Sequence, residues 1–343
     1  VIIDIYTHIF PQAYFDSLTR ETSGLGSLGA RMKGVPSVID LDARFRQMDA
    51  VGDYRQVISL PAPTLEEVAD PELATRLARI ANDGLATRLA RIANDGLAEL
   101  VAKHPDRFPA FVAAVALNDV AGAVAEAKRA VGELGAKGIQ IHTNMCGRPL
   151  DDPEFLPIFD AAAALGVPIW LHPTRSAAMT DYAAEQKSRF EMWWCFGWPY
   201  ETSIAMSRLV FSGLFDRHPN LRIITHHLGG MIPYFDGRIG YGMEVLGSRT
   251  PDEDYSNVLP ALKRPHLEYF REFYGDTALM GGTSGLPAGL KFFGADHVVF
   301  ATDTPFAPIH ETIAAIDQQN LSDTDRTKIF SGNAGRLLGM DFT

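Results

Sequence analysis

Val167-Pro-Ile-Trp-Leu-His172 is apolar at consecutive positions, not alternate ones, and it ends on a histidine. A strand hidden on both faces reads this way, and such strands belong to parallel sheets covered by helices. Working outward, short runs of the same kind recur at Ile2–Tyr6, Gln56–Leu60, Phe111–Val115, Gly138–His142, Pro168–His172, Arg222–His226, Phe273–Thr277 and His297–Thr302. Amphipathic stretches such as Asp119–Leu134 and Asp152–Leu165 lie between them. This repeated strand–helix alternation predicts an α/β fold, a (β/α)8 TIM barrel with a helical outer ring and small insertions, built from residues 1–343 as one domain. The runner-up is an open doubly wound sheet. It would want a Gly-x-Gly-x-x-Gly turn after an early strand, and none follows Ile2–Tyr6.

The composition removes several function classes. With 46% apolar and 21% charged residues over 343 positions, collagen-like, coiled-coil and disordered chains are set aside. A net charge of −11 argues against a nucleic-acid partner, which would require a basic face. Cys146 and Cys195 form neither a disulfide framework nor a Cys-x-x-Cys pair. No stretch reaches the roughly 18 apolar residues of a spanning helix, so no membrane partner is expected. Val1–Tyr6 lacks the basic flank of a secretory leader, and a cytoplasmic location is expected.

Leu73–Gly84 is repeated without change as Leu85–Gly96. An old structural repeat would have drifted, so this copy is recent or engineered. Twelve residues at about 100° each leave a helix about 120° out of phase. The two copies therefore cannot continue one apolar stripe, and one of them should lengthen the helix or form an exposed excursion.

Catalytic groups of a barrel sit at the C-terminal ends of its strands. Five of the 10 histidines fall there: His8, His142, His172 and the pair His226-His227, with Asp303 at the eighth strand end. Imidazole and carboxylate converging from separate strands suit a borderline divalent cation, zinc first and manganese second. His142 is placed either to point into that site or to begin a loop. Strand alternation turns His226 away from its neighbour, toward packing or a main-chain hydrogen bond. The run Met192-Trp-Trp-Cys-Phe-Gly-Trp-Pro199 reads as scaffold, as a pocket wall or as a dimer contact. Phe10 and Phe306 follow the presumed ligands and are placed to line the pocket.

Asp4-Ile-Tyr-Thr-His-Ile-Phe-Pro11 resembles the first-strand motif of the amidohydrolase superfamily. So do Arg44-Phe-Arg-Gln-Met-Asp49, Lys137-Gly-Ile-Gln-Ile141, Leu150-Asp-Asp-Pro153, Val167–Pro173, Phe211–Pro219, His227-Leu-Gly-Gly230, Gly237-Arg238, Ala301–Phe306 and Gly332-Asn-Ala334. The likeness spans nearly the whole chain and is nearest to the decarboxylase branch typified by aminocarboxymuconate-semialdehyde decarboxylase. It implies that His8, His172 and Asp303 bind the metal, with Asp303 also able to hold an attacking water. His227 becomes a general acid/base beside Gly229-Gly230, whose missing side chains would leave room for substrate. Arg44 becomes a carboxylate binder, and Arg238 is donated into the neighbouring subunit, which implies a homodimer. Tyr6 departs from the pattern, which places histidine or glutamate there. It stands as a phenolate ligand, as a neutral phenol, or as the mark of a weakened site.

The resemblance and the ligand pattern together favour a metal-dependent decarboxylase of an unsaturated or aromatic carboxylic acid. The alternatives are a hydrolase or hydratase of the same superfamily, working through metal-activated water, and a catalytically silent barrel.

Overall fold

Each of the eight apolar runs forms a strand, and all of them pair in parallel. A computed structural model describes residues 1–21, 29–69 and 76–342. The strands are β1 (Ile2–His8), β2 (Tyr54–Ser59), β3 (Ala110–Phe111 and Ala113–Ala114, interrupted at Val112), β4 (Ile139–His142), β5 (Ile169–His172), β6 (Ile223–Thr225), β7 (Tyr274–Asp276) and β8 (Val298–Val299). Each lies beside its predecessor, and β3 joins the two ladders by pairing with β2 through its first half and with β4 through its second. Ile5 N donates to Phe300 O at 3.0 Å, and His8 N to Thr304 O at 2.8 Å. Those bonds tie the first strand to the segment that continues β8, although the two strands themselves share no ladder.

Strand pleating sorts the side chains into two layers. Ile3, Val57, Val112, Trp170, Ile224, Tyr274 and Val299 fill the barrel interior. Ile58, Ile139, Ile141, Leu171, Ile223 and Val298 pack outward in the larger core. Helices Val120–Gly132, Leu156–Leu165 and Gly197–Phe211 follow β3, β4 and β5 and bury their apolar stripes in that outer core.

The duplicated segment has become a longer helix. Arg76–Lys103 runs without a break through both copies, while Leu73–Thr75 lie outside the described residues. The second copy packs into the core: Ala86, Leu89, Ala90 and Ala93 are buried. Its Asn94 side chain donates to Ala114 O at 2.9 Å and accepts from Ala114 N at 2.8 Å, which pins the helix to β3. The two glycines also differ. A side chain on Gly96 would lie 2.5 Å from Pro11, whereas one on Gly84 would meet nothing within 4 Å.

Candidate functional site

The site begins with an irregularity in β1. The pairing of β1 with β2 shifts between Asp4 and Thr7, and such a bulge re-aims the residues that follow it. Ile5 and Tyr6 are consecutive yet both belong to the interior cluster, and His8 follows at the rim. Asp4 is left among polar partners. It accepts from Tyr54 Oη and from Thr302 Oγ1, both at 2.5 Å, and from Thr302 N at 3.2 Å. Burial pushes its carboxyl up to about 7 against those hydrogen bonds. This network holds β1 against the segment that carries Asp303.

Arg44 lies beneath the site, and its expected place in a substrate pocket is corrected. The side chain is fully buried and donates to Gln56 Oε1 at 2.6 Å and to His8 O at 2.7 Å. Burial lowers its guanidinium to about 10, with Tyr54 and Asp4 opposing the shift, so it stays charged at neutral pH. Its position steadies the main chain of His8 and offers no face to solvent.

His8, His172, His226 and Asp303 meet at the barrel mouth. One nitrogen from each of the three histidines lies within 4.8 Å of the others, and His226, His227 and Asp303 form a second such group. His8 Nε2 is 3.1 Å from Asp303 Oδ1, and His226 Nε2 is 3.5 Å from the same oxygen. Asp303 has φ +69°, a left-handed conformation that costs a non-glycine residue free energy and tends to persist at functional sites. Burial alone would raise its carboxyl, but the His226 and His8 hydrogen bonds and charges hold it well below the usual range. His172 is held well below its ordinary value by burial and by the neighbouring histidines. Tyr6 faces the same cluster, its ring 4.4 Å from that of His226. Burial and the carboxylates of Asp276 and Asp303 keep its phenol well above the ordinary value.

The expectation that His226 turns away fails for a local reason. β6 stops at Thr225, so alternation no longer governs the next residues. His227 and Leu228 both have φ +55°, and this reversal brings the two rings within 4.0 Å. His226 Nδ1 contacts Asp276 Oδ2 at 2.5 Å, and both side chains are completely buried. Against burial, the charges of Asp276 and Asp303 raise its imidazole to about 10. His227 is held down to about 3 by its packing and by the charge on His226. Gly229 and Gly230 make room for protein rather than substrate. Side chains there would strike Phe293 at 2.9 Å and the Pro199 carbonyl at 2.4 Å.

The remaining candidates lie around this centre. Trp198, from the aromatic run, is parallel to His227 at 6.3 Å and edge-on to His172 at 5.7 Å. His142 sits beside His172 with ring centroids 5.5 Å apart, and burial lowers it to about 3. Phe306 lies 6.1 Å from His8, and the Arg31 guanidinium lies 6.0 Å from its ring. Phe10 packs on Tyr14 and Phe15 in the core, away from a pocket-lining role. Arg238 is exposed and rests only against Phe235 among the described contacts.

The amidohydrolase family model matches residues 3–340. The chain belongs to the amidohydrolase family. Gamma-resorcylate decarboxylase of Polaromonas sp. is 35% identical over 309 residues, covering 88% of this chain and 87% of the relative. The 2-amino-3-carboxymuconate-6-semialdehyde decarboxylase of Dictyostelium discoideum is 31% identical, covering 71% and 64%. A dihydroxybenzoic acid decarboxylase structure from Polaromonas sp., with bound manganese and the inhibitor 2-nitroresorcinol, has a TM-score of 0.76 at 29% identity, covering 98% and 96%. Among the described residues of this family member, no helix is long and apolar enough to cross a membrane.

Proposed function

We propose that the chain is a metal-dependent decarboxylase of a small hydroxylated aromatic carboxylic acid. The observation that carries this reading is Trp198, which flanks both His227 and the ligand cluster. A flat substrate can lie along the indole while its oxygens reach the cluster. The protein atoms fit a cation there. Nε2 of His8 and of His226 are buried and face only the Asp303 carboxylate, at 3.1 and 3.5 Å, without a well-aligned hydrogen bond. His8, His172 and Asp303 would hold the cation. When bound, it supplies positive charge that orients substrate oxygens and draws electron density from the ring. The relative with bound manganese favours that metal, while the imidazole-rich donor set also suits zinc.

His227 is the proton carrier of the scheme. Held neutral by its surroundings, it accepts the proton of the substrate hydroxyl. The bond from ring to carboxylate breaks, carbon dioxide leaves, and the electron pair stays on the ring carbon. His227 returns its proton to that carbon, and solvent reprotonates the phenolate oxygen. A second copy of the chain would complete the pocket. Phe196, Tyr200 and Ile204 form an exposed apolar stripe at helical spacing, and Tyr234 and Tyr241 are exposed on either side of Arg238. That surface suits a homodimer in which Arg238 reaches the partner's substrate carboxylate.

The test is carbon dioxide release from a panel of hydroxybenzoates by protein loaded with manganese or zinc. Release matched by loss of the acid's absorbance is expected. Metal-loaded protein that releases none, yet opens a lactone or amide, would establish hydrolase chemistry instead.

A further inference from the structure

His226 is the residue common to both ligand groups, yet it is neither one of the three ligands named above nor the proton carrier. Its surroundings match those of the two histidines already placed at the cation. His8 Nδ1 faces Leu60 O at 3.0 Å, His172 Nδ1 faces Pro173 O at 2.7 Å, and His226 Nδ1 faces Asp276 Oδ2 at 2.5 Å. An acceptor at Nδ1 fixes the hydrogen there, so the neutral ring carries its lone pair on Nε2. The three Nε2 lone pairs thus converge, and those of His8 and His226 find no donor among the described residues. Tyr6 lies ring against ring with His226.

We infer that His226 is a protein ligand of the catalytic cation, reaching it from the end of β6 beside His8 and His172. Asp276 is then a positioning residue. Its carboxylate fixes the tautomer and orientation of the ring and strengthens the imidazole as a donor, the arrangement common behind metal-bound histidines. The cation would be held by His8, His172, His226 and Asp303, drawn from β1, β5, β6 and the segment after β8. The competing state is a doubly protonated His226 bridging Asp276 and Asp303, with no metal bond.

This inference rests on the metal-dependent reading, and the test separates the two. Protein carrying 15N-histidine and loaded with manganese is examined by pulsed electron paramagnetic resonance. Three coordinated imidazole nitrogens are expected. Two would overturn the inference while leaving the metal in place, and no bound manganese would overturn the metal-dependent reading and this inference with it. Calorimetric titration of manganese into variants gives a second readout. His226→Ala should weaken binding by about 100-fold or more, and Asp276→Asn by roughly 10- to 100-fold. Tyr6→Phe should change it less than about threefold. Loss of manganese in Tyr6→Phe, with retention in His226→Ala, would also overturn the inference. If His226→Ala does not fold, the nitrogen count on the unaltered protein still decides.

Discussion

The same substitution at two identical sequence positions should have opposite effects. Gly84 and Gly96 close the two copies of Leu-Ala-Thr-Arg-Leu-Ala-Arg-Ile-Ala-Asn-Asp-Gly, and both lie inside the helix Arg76–Lys103. Glycine in a helix interior costs about 1 kcal/mol relative to alanine. At Gly84 nothing opposes that gain, because an added methyl meets no atom within 4 Å. At Gly96 the methyl would lie 2.5 Å from Pro11 Cβ, a ring next to the β1 motif that cannot swing aside. Overpacking of this kind costs about 1–3 kcal/mol and cancels or exceeds the propensity gain. An unfolding entropy of about 2.1 cal/mol/K per residue, over 343 residues, makes 1 kcal/mol worth about 1.4 °C. Gly84→Ala should therefore raise the calorimetric melting temperature by about 1 °C. Gly96→Ala should leave it unchanged or lower it by up to about 3 °C. Equal shifts of one sign would refute the assignment of native packing to the second copy.

Other expectations follow from the same contacts. Asn94→Ala orphans the Ala114 amide and carbonyl inside the barrel wall and should cost about 2–4 kcal/mol in denaturant unfolding. Deleting one twelve-residue copy should leave manganese affinity and turnover nearly unchanged, since the cation ligands lie on other strands; loss of metal on deletion would refute this. His227→Asn should bind metal normally but turn over about 10²-fold or more slowly, measured as carbon dioxide release. Near-normal rates would remove His227 from proton transfer. Mixing inactive Arg238→Ala with inactive His172→Ala should restore part of the activity in exchanged dimers, and no recovery with exchange confirmed would exclude a shared pocket.

What the sequence makes legible follows from geometry that parallel strands impose. In a parallel barrel every strand ends on the same rim, so His8, His172 and Asp303 could be grouped without knowing any loop. His226 is not legible in the same way, because pleat alternation holds only as far as the strand does. The strand ends at Thr225, and two left-handed residues then fold the chain back. Only a backbone conformation separates the two outcomes, and His227 and Leu228 carry no sign of it in their side chains. Asp276 was missed for a smaller reason. It ends β7 as Asp303 follows β8, but the run Phe273–Thr277 continues past it in the sequence, which puts the carboxylate inside a strand pattern. A charged residue within an otherwise apolar barrel strand was the available signal. Arg44 shows the opposite limit. The resemblance alone implies a carboxylate binder, whereas its depth depends on Gln56 and the His8 carbonyl, which lie on β2 and β1. The residues hardest to read are thus those that orient the ligands. A ligand must reach the rim, which strand order reveals. An orienting group must only reach the ligand, from whichever element happens to pack behind it. Asp276 behind His226 and Arg44 behind His8 are both of this second kind.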